Sequence, residues 1–125
     1  MPEPRAPLVL VVDDDEAVID YLRASFGARY DIASTSAPEN VLALAREVAP
    51  SLILCDIDMP GMDGGDVSKA LYGEAGLREI PLLFITGLVS ADDLKGSSPQ
   101  IGGRPAISKH APLEALLKKV ESLTR

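Results

Sequence analysis

Asp13, Asp14, Asp56, Thr86 and Lys109 are residues whose types, brought together, can bind a cation and move a phosphoryl group. Each stands where an apolar run ends: Asp13-Asp14-Asp15 after residues 8–12, Asp56 after 52–55, Thr86 after 82–85, and Lys109 after 106–108. Carboxylates held within a few ångströms of one another must share protons or bind a cation. One cysteine, Cys55, and one histidine, His110, are too few soft ligands for a structural zinc site. The ligands are therefore oxygens, and Mg²⁺ is the cation they suit. With such an ion beside Asp56, a carboxylate oxygen can attack phosphorus while the metal, the Lys109 ammonium and the Thr86 hydroxyl stabilise charge on the equatorial oxygens. The product is an aspartyl phosphate.

The elements that must position these groups follow from hydrophobic periodicity. Residues 8–12, 52–55 and 82–85 are continuous apolar runs, as strands covered on both faces are; residues 30–34 and 106–108 are weaker strand candidates. Helical stripes separate them: Val18, Ile19, Leu22 and Phe26; Val41, Leu44, Ala45 and Val48; and Leu113, Leu116, Leu117, Val120 and Leu123. A further helix is expected over about residues 66–75, bounded by Gly64-Gly65 and Gly76. Residues 91–95 could form only a turn or two, and the glycines and prolines of 96–105 predict an irregular loop. Residues 1–7 read as a disordered lead, and residues 8–125 as one domain. Single helices between strands require right-handed crossovers, hence an α/β fold with a parallel sheet and helices on both faces. In such a sheet all strand C-termini reach one edge, where ligands bind; the five chemistry-bearing residues fall on that edge.

Composition narrows the classes. At 46% hydrophobic and 25% charged residues the chain is globular rather than disordered. Its longest aliphatic run, five residues, is far below the ~20 a bilayer span needs and ends in acid, so neither a membrane span nor a secretory signal is expected. The cytoplasm is the expected address. A net charge of −7 repels phosphate backbones, which disfavours direct nucleic-acid binding.

With these residues in view, the chain resembles the response-regulator receiver domains of two-component signalling. The likeness rests on Val11-Val12-Asp13-Asp14-Asp15, on Asp56-Ile57-Asp58-Met59-Pro60-Gly61-Met62-Asp63-Gly64, on Thr86-Gly87 and on Ser108-Lys109, in order and at family spacing over residues 8–124. It implies a flavodoxin-like, five-stranded parallel sheet of order 2-1-3-4-5, with a fourth helix that is short or irregular here. It implies that Asp56 is the phosphoacceptor, that Asp14 binds Mg²⁺ directly, Asp13 through water and Asp58 through its backbone carbonyl, and that Thr86 and Lys109 contact the phosphoryl group. The partners implied are a sensor histidine kinase or a histidine phosphotransfer protein, with a homodimer left open. Such a domain is a switch that catalyses only its own phosphorylation and dephosphorylation, not a turnover enzyme.

Two positions depart from the family pattern. Where receivers carry proline after the active-site lysine, joined through a cis peptide, this chain has His110. A cis bond costs about 2.5–4 kcal/mol before a non-proline residue against about 0.5–1 before proline, so a trans Lys109–His110 bond and a less well aimed ammonium are expected. Three residues before the lysine, where many receivers place an aromatic switch, stands Ala106. Output through that face is expected to differ.

Plainer readings attach to single residues. Asp15 and Glu16 suit a helix N-terminus, Cys55 a small core residue, Met59 and Met62 loop packing, and His110 a partly exposed loop. Two other functions stay open: a degenerate receiver that serves only as an interaction module, motivated by Ala106, His110 and the broken fourth helix, and a haloacid-dehalogenase-like phosphatase using Asp56-Ile57-Asp58. The latter motif belongs on a first strand, whereas here two βα units precede it.

Overall fold

The computed structural model describes residues 7–27, 29–57, 64–86, 100–101, 104–109 and 111–124. In chain order these form β1 (Leu8–Val12), α1 (Glu16–Phe26), β2 (Asp31–Thr35), a 3₁₀ turn (Pro38–Asn40), α2 (Val41–Val48), β3 (Leu52–Asp56), α3 (Gly64–Tyr72), β4 (Leu82–Thr86), β5 (Gln100–Ile101), β6 (Arg104–Ser108) and α4 (Leu113–Thr124). The strands make one sheet of order β2-β1-β3-β4-β6-β5. Neighbours pair in parallel from β2 through β6, and only the short β5 runs antiparallel to its neighbour. Five parallel strands in the expected spatial order therefore carry the fold.

Strand alternation sorts the apolar runs onto two faces. Val9, Val11, Leu52, Leu54, Leu83 and Ile85 pack with Ile19, Leu22 and Phe26 of α1 and Val120 of α4. Leu10, Val12, Ile53, Cys55, Leu82, Phe84 and Ala106 pack with Val41 and Ala45 of α2 and Val67 and Leu71 of α3. Register agrees: Val11 sits beside Leu54 and Leu54 beside Leu83 on one face, Cys55 beside Phe84 and Phe84 beside Ala106 on the other. Burial on both faces explains why β1, β3 and β4 are uninterrupted apolar runs rather than alternating ones.

Several boundaries differ from the sequence expectation. Residues 100–101 and 104–105, expected within an irregular loop, are in strands, so the expected strand 106–108 begins two residues earlier; Gln100 pairs with Pro105 and Ile101 with Arg104. The α3 helix starts at Gly64 and ends at Tyr72, two residues earlier at the start and three at the end than residues 66–75, so Gly64 and Gly65 lie in its first turn. Tyr30 is not in β2; it closes the turn from α1, its ring 5.7 Å from that of Phe26. Pro7 already takes part in the sheet, its carbonyl accepting from the Asp31 N–H at 3.0 Å. Residues 1–6, the fourth-helix candidate at 91–95, Gly87, His110 and residues 58–63 lie outside the described residues.

Candidate functional site

The site is assembled at the C-terminal ends of β1, β3, β4 and β6. Asp13 follows β1 and is fully buried; its N–H donates to the Thr35 carbonyl at 3.2 Å, and its Oδ1 accepts from the Asp15 N–H at 2.9 Å. Asp15 in turn caps α1 by accepting from the Ala17 N–H at 2.9 Å, the helix-start role expected of it. Strand end, turn and helix start are thus locked by consecutive aspartates, which leaves Asp14 exposed between them. Asp56 is the last residue of β3 and is buried. One oxygen each from Asp13, Asp14 and Asp56 lies within 4.8 Å of the others, a spacing one cation could bridge.

Lys109 reaches this cluster from the end of β6. Its backbone N–H donates to the Thr86 carbonyl at 2.8 Å, tying it to the end of β4. Its ammonium stands 3.1 Å from Asp13 Oδ2 and 3.4 Å from Asp56 Oδ2. Whatever the Lys109–His110 peptide does outside the described residues, the ammonium is not turned away from Asp56. The pull of two buried carboxylates on one cation holds the side chain at ion-pair distance from both. Thr86 is buried at the end of β4, the strand lying between those of Asp56 and Lys109. Asp58, the expected carbonyl ligand, lies outside the described residues.

Electrostatics at this edge follow from burial. Partial burial by itself pulls the Lys109 pKa down, but hydrogen bonding and charge from Asp13, then Asp56, outweigh it and leave the ammonium above its ordinary value. The Cys55 thiol, buried and facing the charges of Asp56 and Asp13, is pushed up to about 12. It stays neutral and donates to the Asp56 carbonyl at 3.2 Å, in keeping with a core role rather than a redox one. Asp13 Oδ2 is buried, and among the described residues the Lys109 ammonium at 3.1 Å is the charge set against it. An acceptor oxygen in that condition, between two further carboxylates, fits a hard cation.

Sequence reading set Lys109 against Asp56 but not against Asp13, whose pairing is the shorter of the two. No sequence signal ranks two carboxylates at adjacent strand ends by distance. Ala106 is buried in the core beside Phe84 and presents no aromatic ring at that position.

The family model for the response regulator receiver domain matches residues 9–121. The chain is 36% identical over 118 residues to the response regulator PleD of Caulobacter vibrioides, covering 94% of this chain and 26% of that protein's length. It is 33% identical over 118 residues to the polar-differentiation response regulator DivK of Brucella ovis, covering 91% of this chain and 93% of that one. In fold it is similar to the chemotaxis protein CheY4 of Vibrio cholerae, at a TM-score of 0.80 and 23% identity over 95% of this chain and 99% of that one.

Proposed function

The chain belongs to the response-regulator receiver domains of two-component systems, and on that premise we propose that it accepts a phosphoryl group on Asp56 in a Mg²⁺-dependent reaction with a phosphohistidine of a sensor kinase or phosphotransfer protein. The observation that carries this reading is the Lys109 ammonium set between Asp13 and Asp56, with Asp14 completing a three-carboxylate cluster. Asp13, Asp14 and Asp56 would hold the ion, with the Asp58 carbonyl as the ligand the family resemblance adds. Bound there, Mg²⁺ supplies charge neutralisation for the incoming phosphoryl oxygens.

The protein's own groups do the rest. An Asp56 carboxylate oxygen forms the new P–O bond as the P–N bond to the donor imidazole breaks, and that nitrogen leaves with the electron pair. Lys109, already paired to Asp56, follows the charge onto the phosphoryl oxygens. Its raised pKa keeps it cationic throughout the physiological range. Thr86, buried one strand over, is the hydroxyl that would accompany it. The reaction is stoichiometric modification of the domain, which would then alter what it binds. Among the described residues no helix is long and apolar enough to cross a membrane, and the cytoplasm is the compartment this reading implies.

Incubation with Mg²⁺ and acetyl phosphate or phosphoramidate, followed by intact mass, tests the reading. One hydroxylamine-labile phosphoryl group is expected, absent in Asp56→Asn; label that persists in that variant places the acceptor elsewhere. No label at all would indicate a degenerate interaction module, and turnover to free phosphate would indicate a phosphatase. Mg²⁺ is expected to raise the melting temperature by mass action, and Asp14→Ala to remove that response.

A further inference from the structure

At the opposite end of β6 from Lys109, Arg104 presents a second cation in a different condition. Its Nε and Nη2 are buried and have no hydrogen-bond partner among the described residues. Its guanidinium carbon lies 4.8 Å from the ring centroid of Tyr72, the last residue of α3, which is 60% exposed. Nε and Nη2 share one edge of the planar guanidinium, the edge that meets both oxygens of a carboxylate through parallel hydrogen bonds. A desolvated fork of that kind without its acceptor is unfavourable, and the described fold supplies none.

We propose that the Arg104–Tyr72 pair is a docking point for a carboxylate side chain carried by a partner protein. Arginine and tyrosine are the residue types that most often anchor protein interfaces. The chain's net charge of −7 opposes multiply charged phosphate ligands more strongly than one carboxylate presented on a protein surface. The fork is shielded in the free chain, so capture involves a side-chain rotation, which the exposure of Tyr72 permits. The point is separate from the carboxylate edge. Its success or failure is therefore independent of Asp56 phosphorylation.

The test uses the unphosphorylated 125-residue chain, labelled with ¹⁵N, and an acetylated, amidated peptide with one glutamate between glycines as the probe. A saturable shift of the Arg104 Nε–H resonance together with the Tyr72 ring protons is expected. Followed by the backbone amides of residues 72, 104 and 106, affinity should fall at least about tenfold in Arg104→Gln, the loss expected when a bidentate contact is removed. The proposal is overturned by a non-saturating response, by full affinity in Arg104→Gln, or by a saturable response to inorganic phosphate with none to the peptide. Arg104→Met adds a second readout: its melting temperature should match or exceed that of the parent. A fall of more than about 5 °C would mean the guanidinium already has its acceptors within the fold, and would equally overturn the proposal.

Discussion

Two ion-paired sites of this domain join the same kinds of groups in opposite surroundings. Lys109 meets Asp13 and Asp56 where the carboxylates are 0% and 5% exposed and the lysine 25%. Arg46, on α2, meets Glu74, just beyond α3, where the arginine is 54% exposed and the glutamate 31%. The Arg46 pair has the better geometry on paper, a two-pronged contact that includes Nε to Oε2 at 2.8 Å. Water nevertheless decides their weights. An exposed pair exchanges hydration for contact at little net gain, while a buried carboxylate that loses its cation has nothing to replace it. The domain thus keeps its strong electrostatics at the edge where chemistry is proposed, and uses the other pair as a light clasp between helices.

The largest effect should come from removing the buried cation. Lys109→Met takes the ammonium away from Asp13 and Asp56 and is expected to cost about 2–4 kcal/mol of stability in metal-free buffer, somewhat below the range for fully buried pairs because the lysine is partly solvated. Urea denaturation checks it. Adding Mg²⁺ should return part of the loss, since another cation takes over the neutralisation. A loss under about 0.5 kcal/mol would place this pair in the same class as the exposed one.

Much of that edge was legible before any coordinates. The apolar runs ending at Val12, Cys55 and Ile85 required parallel strands, and parallel strands required Asp13, Asp56, Thr86 and Lys109 to converge. What periodicity could not show was β5, two residues long and followed by a Pro-bearing strand, because Gly and Pro statistics argue against sheet wherever the pairing is short. Gly102-Gly103 between two short runs was the available hairpin signal. Nor could sequence show that Lys109 lies nearer Asp13 than Asp56, or that the Arg104 fork has no described acceptor. Both depend on side-chain directions that only packing sets.

The second effect is a loss of stability on the alkaline side. The Cys55 pKa is raised in the folded state from its ordinary 9.0 to about 12, so its contribution is fully present below pH 9 and is lost as pH rises toward 12. Lys109, also raised, adds in the same direction from its ordinary 10.5 upward. Unfolding free energy should therefore fall between pH 9 and 12, by about 1.4 kcal/mol for each pH unit through which one such group remains protonated only when folded. Cys55→Ala should flatten the onset near pH 9 and leave the part due to Lys109. An unchanged slope in that variant would show that the thiol is not held neutral by its surroundings.

A smaller effect is expected at His110. Since the Lys109 ammonium already stands 3.4 Å from Asp56, the gain from a proline-permitted cis peptide shrinks. His110→Pro should change the phosphorylation rate by less than about twofold, the cis bond then costing only about 0.5–1 kcal/mol. A larger acceleration, absent in the Lys109→Ala, His110→Pro double variant, would mean that the lysine's aim and not its distance limits the reaction.

The smallest effect tests the other half of the comparison. Arg46 and Glu74 are separated by 28 residues and bridge the C-terminal ends of α2 and α3, beside Ala45 and Leu77. If exposure governs, Glu74→Gln should cost only about 0.2–1 kcal/mol, and a double-mutant cycle with Arg46→Gln should give a coupling energy in the same range. The effect should also shrink at high salt, where a Debye length of about 3 Å at 1 M screens an exposed pair far more than the buried one. The Lys109→Met loss, measured in the same two buffers, should scarcely move. Coupling above about 2 kcal/mol at Arg46–Glu74, or equal salt sensitivity at the two sites, would show that two-pronged geometry outweighs burial in this fold.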